Sequence, residues 1–142
     1  MAEDIRIPFL EHEPSETPVF TAANLLEAAR IRKAVPKVPV PAGCLLDFDG
    51  ELVQHLAAMG RAVEDSAWPC FHTRLFRWQA GGAEYGVIGG TIGAPFAVLV
   101  AEELFALGCR ALISISSAGL VAERFTPPFF LLIDRALRDE GT

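Results

Sequence analysis

Two short loops rich in glycine and serine are the stretches of this sequence best suited to bind a ligand. Residues 89–95 have the sequence Gly-Gly-Thr-Ile-Gly-Ala-Pro, and residues 114–119 have the sequence Ser-Ile-Ser-Ser-Ala-Gly. Glycines let backbone N–H groups approach a ligand, and Pro95 suits the first turn of a helix, whose free N–H groups attract an anion. Serine hydroxyls at a strand end can bind a phosphate, a sugar or a carboxylate. Neither loop is a dinucleotide-binding motif or a P-loop, and each also fits a turn without a ligand.

A strand, a helix and a second strand must hold these two loops in place. Residues 86–89 form a short apolar stretch typical of a strand. Residues 96–107 have the periodicity of a helix that ends at Gly108, and residues 110–115 predict a second strand. A parallel strand–helix–strand unit brings the carboxyl ends of its strands to one edge of the sheet, beside the start of the helix. The sequence therefore predicts a ligand crevice at that edge.

The flanking sequence supplies the rest of a domain. Residues 1–19 are acidic and contain three prolines, and we expect an arm there, followed by one α/β domain over residues 20–142. The other predicted elements are a helix over 21–35 capped by Thr21, an extended segment over 38–46, a helix over 51–59 ending at Gly60, a hairpin with strands over 70–79 and 84–88, and a buried strand over 129–133. A hairpin joined to a parallel unit makes the sheet mixed.

The composition excludes several classes of protein. The 142 residues carry a net charge of −6 without a lysine or arginine block, which argues against nucleic acid or an anionic membrane as the main partner. The apolar run after Pro95 contains Glu102 and Glu103, so we expect no membrane span there and one of the two glutamates facing solvent. Three cysteines without metal-binding spacing predict reduced thiols in a cytoplasmic protein that holds no metal ion.

Other polar residues point less directly to chemistry. His72 is predicted to lie in a strand, where a structural role is commoner than catalysis. No GxSxG motif surrounds a serine, so a Ser-His-Asp hydrolase is not supported and no catalytic residue is identified. Arg138 follows the strand predicted over 129–133, where α/β sheets place site residues. Nothing later in the chain covers that strand, so we expect another subunit to cover it or, preferably, the chain to be the front part of a longer protein.

The order and spacing of these motifs resemble the nucleoside phosphorylase family, which includes purine nucleoside phosphorylase, uridine phosphorylase and the nucleosidases. The resemblance covers roughly residues 38–142, and its matching segments are residues 91–95, 101–104 with Gly108, 117–120, 133–142 and 40–43. It implies a three-layer α/β/α domain with a mixed central sheet, apparently truncated, and a homo-oligomer. It also implies cleavage of the N-glycosidic bond of a purine or pyrimidine nucleoside. No cofactor is implied, and inorganic phosphate is a possible co-substrate because it is the nucleophile in the phosphorylases.

The resemblance implies site residues as well. Those expected to bind phosphate are Gly43, Ser114 and Ser117, and those expected to bind the substrate are Thr91, Gly93 and Arg138. Gly43 and Ser117 match the family's phosphate-contacting glycine and hydroxyl.

Two departures from the family pattern affect phosphate. Family phosphorylases have an arginine where this chain has Ser114, and another in the stretch that here ends with Asp47. The loss of two guanidinium groups removes most of the charge pairing for phosphate, and Asp47 would repel it. Three alternatives stay open: a phosphorylase-like enzyme, a phosphate-independent nucleosidase, and a non-catalytic domain that binds nucleoside, phosphate or a partner.

The family's ribose-binding Glu-Met-Glu segment and base-protonating aspartate would follow Thr142, so we expect this chain alone to be inactive.

Overall fold

A computed structural model of the chain describes residues 15, 18–121, 125–126 and 128–137. The predicted arm therefore lies almost wholly outside the described residues. The elements, in chain order, are α1 (Ala22–Lys33), β1 (Gly43–Asp47), α2 (Glu51–Ala58), β2 (Ala62–Glu64), β3 (Leu75–Ala80), β4 (Ala83–Gly89), α3 (Ala94–Ala106) and β5 (Ala111–Ile115). Within the described ranges, no helix is long and apolar enough to cross a membrane.

The sheet is mixed and has the strand order β2-β3-β4-β1-β5. Strand β1 lies between β4 and β5 and is parallel to both. Strands β3 and β4 form the predicted antiparallel hairpin, whose turn contains Gly81 and Gly82, both with positive φ. Strand β2 pairs with β3. The predicted mixed sheet is confirmed, whereas β2 was not expected because three residues are too few to show a period of two.

Helices cover both faces of the sheet. On one face, Leu46 and Ile88 pack in a core cluster with Leu26 of α1 and Leu104 of α3. On the other face, α2 lies close to the end of β4, because a Cβ added at Gly89 would be 3.3 Å from the Cβ of Val53. The predicted three-layer α/β/α arrangement is confirmed.

The helix ends follow local signals in the sequence. The hydroxyl of Thr21 accepts a hydrogen bond from the N–H of Asn24 at 3.2 Å and caps α1, as predicted. Helix α3 begins directly after Gly93, which has a φ of 103°, and Pro95 occupies its first turn. Gly108, with a φ of 105°, follows the helix end. These signals place the start of α3 at the carboxyl end of β4, as the strand–helix–strand prediction required.

Two strand predictions are wrong in extent or existence. Residues 129–133 form no strand, and the side chains of Phe130 and Leu132 are 94% and 97% exposed. A continuous apolar run forms a buried strand only where other layers cover both of its faces. The strand predicted over 70–79 begins only at Leu75, so His72 lies in a bend before it. The indole N–H of Trp68 donates to the hydroxyl of Thr73 at 3.0 Å, which closes this segment into a loop.

Candidate functional site

Three loops meet at the carboxyl edge of the parallel strands. Asp47, the last residue of β1, is in register with Gly89 at the end of β4 and with Ile115 at the end of β5. The loops that follow, residues 48–50, 90–93 and 116–119, therefore start at the same edge of the sheet. The amino terminus of α3 follows the middle loop. The two small-residue loops therefore lie at one edge of the sheet, as the strand–helix–strand pattern predicted, and the loop after β1 lies between them.

Asp47 organises the start of this edge. Its side chain is buried, and its Oδ2 accepts a hydrogen bond from the N–H of Val53 at 3.0 Å. Its backbone carbonyl accepts from the N–H of Gly50 at 3.1 Å and from the N–H of Gly90 at 2.9 Å. Asp47 thus satisfies an amide in the first turn of α2, where a carboxylate also complements the helix dipole, and it joins two of the three loops. The carboxylate serves the structure of the site rather than facing a ligand.

Asp49 and Ser117 connect the outer loops directly. The N–H of Phe48 donates to the carbonyl of Ile115 at 3.0 Å, which continues the pairing of β1 and β5 past the ends of the strands. One residue beyond Phe48 and two beyond Ile115, Oδ2 of Asp49 accepts from the N–H of Ser117 at 2.9 Å and from its Oγ at 3.1 Å. These two hydrogen bonds lower the pKa of the Asp49 carboxyl below its ordinary value, and the bond from the backbone N–H has the larger effect. An ionised carboxylate therefore lies against the loop that was predicted to bind phosphate.

A cleft of about 550 Å³ opens at the same edge, on the α2 side of the sheet. Its lining consists of Asp49, Gly50, Val53, Gln54, Ala57, His72, Thr73, Arg74, Phe76, Gly89 and Gly90. The guanidinium of Arg74 forms an ion pair with Glu64 and lies 5.3 Å from the centroid of the Phe76 ring. The cleft therefore combines an apolar wall with hydroxyl, amide and charged groups, and its arginine is already paired.

Gly43 lies at the wrong end of the sheet to join Ser117. It is the first residue of β1 and pairs with Ala111, the first residue of β5. Four residues of strand separate it from the carboxyl edge, a distance of roughly 13 Å at about 3.3 Å per residue. A Cβ at this position would lie 3.0 Å from Cδ1 of Tyr85, so the glycine is explained by close packing. The strand register therefore does not bring Gly43 together with Ser117.

Ser114 is also separated from the cleft. It lies within β5, in register with Leu46, and so shares the sheet face that α1 and α3 cover. The cleft lies on the opposite face, beside α2. The alternation of side chains along a strand explains the difference, because Ser114 and Ile115 must point to opposite faces.

The two predicted substrate-binding residues in the loop after β4 lie at the correct edge but line no part of the cleft. Thr91 is fully buried, and its hydroxyl has no hydrogen-bond partner among the described residues. Gly93 is exposed and precedes α3. Arg138 lies outside the described residues. Gly89 and Gly90 of the same loop do line the cleft.

Sequence reasoning did not identify several of the residues that the structure brings together. Asp49 and Gln54 come from one stretch of the chain and Arg74 and Phe76 from another, and no motif links them. One signal could have indicated Asp49: it follows β1 by two residues, as Ser117 follows β5 by two residues, so parallel pairing makes them neighbours. That inference needed the strand ends and the register, which the periodicity did not supply.

The buried carboxyl of Glu103 does not line the cleft, although His72, whose charge acts on it, does. Glu103 of α3 is 1% exposed, whereas Glu102 is exposed, which confirms that one of the two glutamates faces solvent. Burial raises the pKa of the Glu103 carboxyl, and a hydrogen bond with the thiol of Cys70 and the charges of His72 and Lys33 act against that rise. Its Oε2 has no hydrogen-bond partner among the described residues. We therefore assign Glu103 to the core.

The three cysteines are free and buried, in agreement with the prediction of reduced thiols. Burial and the neighbouring Cys109 raise the pKa of the Cys44 thiol to about 12. In the part of the chain that the structure describes, no group of three or more histidine, cysteine, aspartate or glutamate side chains is placed to hold a metal ion.

Comparison with known proteins gives one structural likeness. No protein-family model matches the chain, and no curated protein matches it. The chain is similar to a crystal structure of purine nucleoside phosphorylase from Toxoplasma gondii in complex with immucillin-H, with 26% sequence identity and a TM-score of 0.43. The match covers 61% of this chain and 33% of that chain, so the matched part spans about one third of that protein's length.

Proposed function

We propose that this chain is the nucleoside-binding part of a nucleoside phosphorylase-like protein that cleaves the N-glycosidic bond of a purine or pyrimidine nucleoside. The observation that carries the proposal is the cleft of about 550 Å³ at the carboxyl edge of three adjacent parallel strands. Cavities of roughly 300–1,000 Å³ are typical of small-molecule sites, and this edge is where α/β sheets bind their ligands. The motifs of residues 91–95 and 117–120 supply the ligand class through their resemblance to the family.

The cleft lining suits a ligand with one apolar face and several hydroxyl groups. Phe76 and Val53 offer apolar surface to a planar base, and an aromatic ring favours stacked or edge-on contact with another ring. Gln54 and Thr73 offer amide and hydroxyl groups to a sugar. Because the carboxylate of Asp49 lies in the same lining, a neutral nucleoside fits better than a nucleoside phosphate.

A specific contact favours hydrolysis over phosphorolysis as the second candidate function. Ser117 directs both its N–H and its hydroxyl to Asp49, so these donors are not free for phosphate. In a phosphate-independent nucleosidase the bond from the sugar carbon to the base nitrogen breaks, water forms the new carbon–oxygen bond and loses a proton, and the base gains a proton. An ionised Asp49 would stabilise the positive charge that develops on the sugar, although its lowered pKa makes it a weak base.

Binding is tested by calorimetric titration of the chain with a panel of neutral nucleosides and the matching nucleoside monophosphates. We expect heat of binding from at least one nucleoside and an affinity about tenfold lower for its monophosphate. Phe76→Leu should weaken nucleoside binding, whereas the matched control Phe105→Leu, on the half-exposed face of α3, should not. Titrations in which no nucleoside binds would contradict the proposal.

Cleavage is tested on a longer protein that contains this chain, since the chain itself is expected to be inactive. Base release from the same nucleosides is measured with and without inorganic phosphate. Base release at a rate independent of phosphate supports the nucleosidase, and base release that requires phosphate supports the phosphorylase. Nucleoside binding without release from either mixture would favour a non-catalytic binding domain.

Two further properties belong to this proposal. The protein is cytoplasmic and it forms a homo-oligomer. Self-association is supported by exposed apolar side chains, among them Ile113 on the edge strand β5 and Phe130 and Leu132 beyond it. Light scattering checks it, and a monodisperse monomer would contradict it.

A further inference from the structure

The contact between Asp49 and Ser117 brings a negative charge to a pair of donors that could otherwise bind an external anion. The N–H and Oγ of Ser117 lie 2.9 Å and 3.1 Å from the same carboxylate oxygen. Two donors that converge on one oxygen reproduce the way in which backbone and serine groups hold an oxygen of phosphate or sulfate. Here the oxygen belongs to the protein itself.

The backbone on either side of Asp49 is held by hydrogen bonds. Strand pairing continues to the hydrogen bond between the N–H of Phe48 and the carbonyl of Ile115, one residue before Asp49. On its other side, Gly50 has a φ of 80° and donates its N–H to the carbonyl of Asp47. Asp49 is therefore held between two fixed backbone positions, although its side chain is exposed to solvent.

We propose that Asp49 is a specificity-determining residue, an internal anion that occupies the donors of Ser117 and excludes inorganic phosphate and other small oxyanions from this position beside the cleft. An external phosphate at Ser117 would have to displace the carboxylate and then remain beside it, because the pairing of β1 with β5 holds Asp49 next to Ser117. The Asp49 carboxylate and the phosphate are both negatively charged, so they would repel each other in this position. The proposal deepens the proposed function, on which it rests for the identity of the neutral ligand, by stating why phosphate is not a co-substrate.

The proposal is tested by titrating inorganic phosphate into the wild-type chain and into Asp49→Ala, followed by ³¹P NMR and by the amide signal of Ser117 in ¹⁵N-labelled protein. We expect Asp49→Ala to bind phosphate about tenfold or more tightly than wild type, since the substitution frees two donors and removes the repulsion. Asp49→Asn should fall between them because its amide oxygen can still accept from Ser117. The double variant Asp49→Ala with Ser117→Ala should lose the part of the gain that comes from the Ser117 hydroxyl, because alanine keeps only the backbone N–H.

Asp134→Asn is the control for a general change in net charge, because Asp134 is exposed and pairs only with its neighbour Arg135 among the described residues. Its phosphate affinity should equal that of wild type. Equal affinity in Asp49→Ala and wild type, with a native amide spectrum, would overturn the proposal, as would an equal gain in Asp134→Asn. Phosphate binding is measured without nucleoside, so failure here is distinct from failure of the nucleoside titrations.

Discussion

Replacing Gly89 with alanine tests how closely α2 packs on the sheet beside the cleft. A Cβ at this position would lie 3.1 Å from the Cα of Gly50 and 3.3 Å from both Cβ and Cγ2 of Val53. Carbon atoms prefer separations of about 3.5–4.0 Å, and neither a backbone atom nor a β-branched side chain yields easily. Overpacking of this kind typically costs about 1–3 kcal/mol.

The matched control is Gly119→Ala, because a Cβ at Gly119 would meet no atom within 4 Å. Both substitutions reduce the freedom of the unfolded chain, which stabilises each variant by about 0.4–1 kcal/mol. The difference between the two variants therefore isolates the steric cost, and we expect Gly89→Ala to be less stable than Gly119→Ala by about 1–3 kcal/mol.

Urea unfolding, followed by circular dichroism, measures the free energy of unfolding of each variant from its linear dependence on urea concentration. The same samples, titrated with the nucleoside that binds best, report whether the substitution at Gly89 changes the affinity of the cleft, because Val53 and Gly89 both line it. If the two variants unfold with equal free energies, the close approach of α2 to β4 is wrong. The position of the cleft, which residues of α2 and the end of β4 line, would then be wrong as well.

Three further predictions concern the core around the site. Asp47→Ala should lower the free energy of unfolding by about 1–3 kcal/mol in urea unfolding, because it leaves the N–H of Val53 without its acceptor; an unchanged value would contradict the capping role. Glu103→Gln should become increasingly stable relative to wild type as the pH of urea unfolding rises above about 4.5. The pKa of Glu103 is raised in the folded protein, so folding favours the protonated carboxyl, and wild type loses stability as the pH rises from about 4.5 towards the folded-state pKa. Free energies of unfolding that change in parallel with pH in wild type and Glu103→Gln would refute this assignment. In a thiol assay with Ellman's reagent, the buried Cys44, Cys70 and Cys109 should react only after denaturant is added, because burial protects thiols whose pKa is raised at Cys44 and Cys70; rapid reaction of native protein would refute it.

Local signals in the sequence were sufficient for most of the secondary structure. Thr21 and Pro95 mark helix starts, Gly108 marks a helix end, and the glycine pair at residues 81–82 marks a hairpin. Each acts through the conformation or hydrogen bonding of its own neighbourhood, so it can be recognised without knowledge of the fold. The same reasoning failed for residues 129–133, because burial of an apolar run depends on what packs against it.

The candidate site was predicted only in part. Its location at the carboxyl edge, and the presence of Ser117 there, followed from the strand–helix–strand pattern. The sequence could not indicate that Gly43 lies at the other edge, or that Ser114 faces away from the cleft. Those facts depend on where β1 begins and on the register in which it pairs with β5.

By itself, then, the sequence determined the α/β class, the order of the strand–helix–strand unit and the two loops of small residues, since these depend on periodicity and on the backbone preferences of glycine and proline. The tertiary structure alone decided what those loops contact. Parallel pairing of β1 with β5 brings together Asp49 and Ser117, which are 68 residues apart in the chain. Contacts over such separations are set by strand register and sheet order, and no local preference encodes them. The charge opposite Ser117 is therefore a property of the fold.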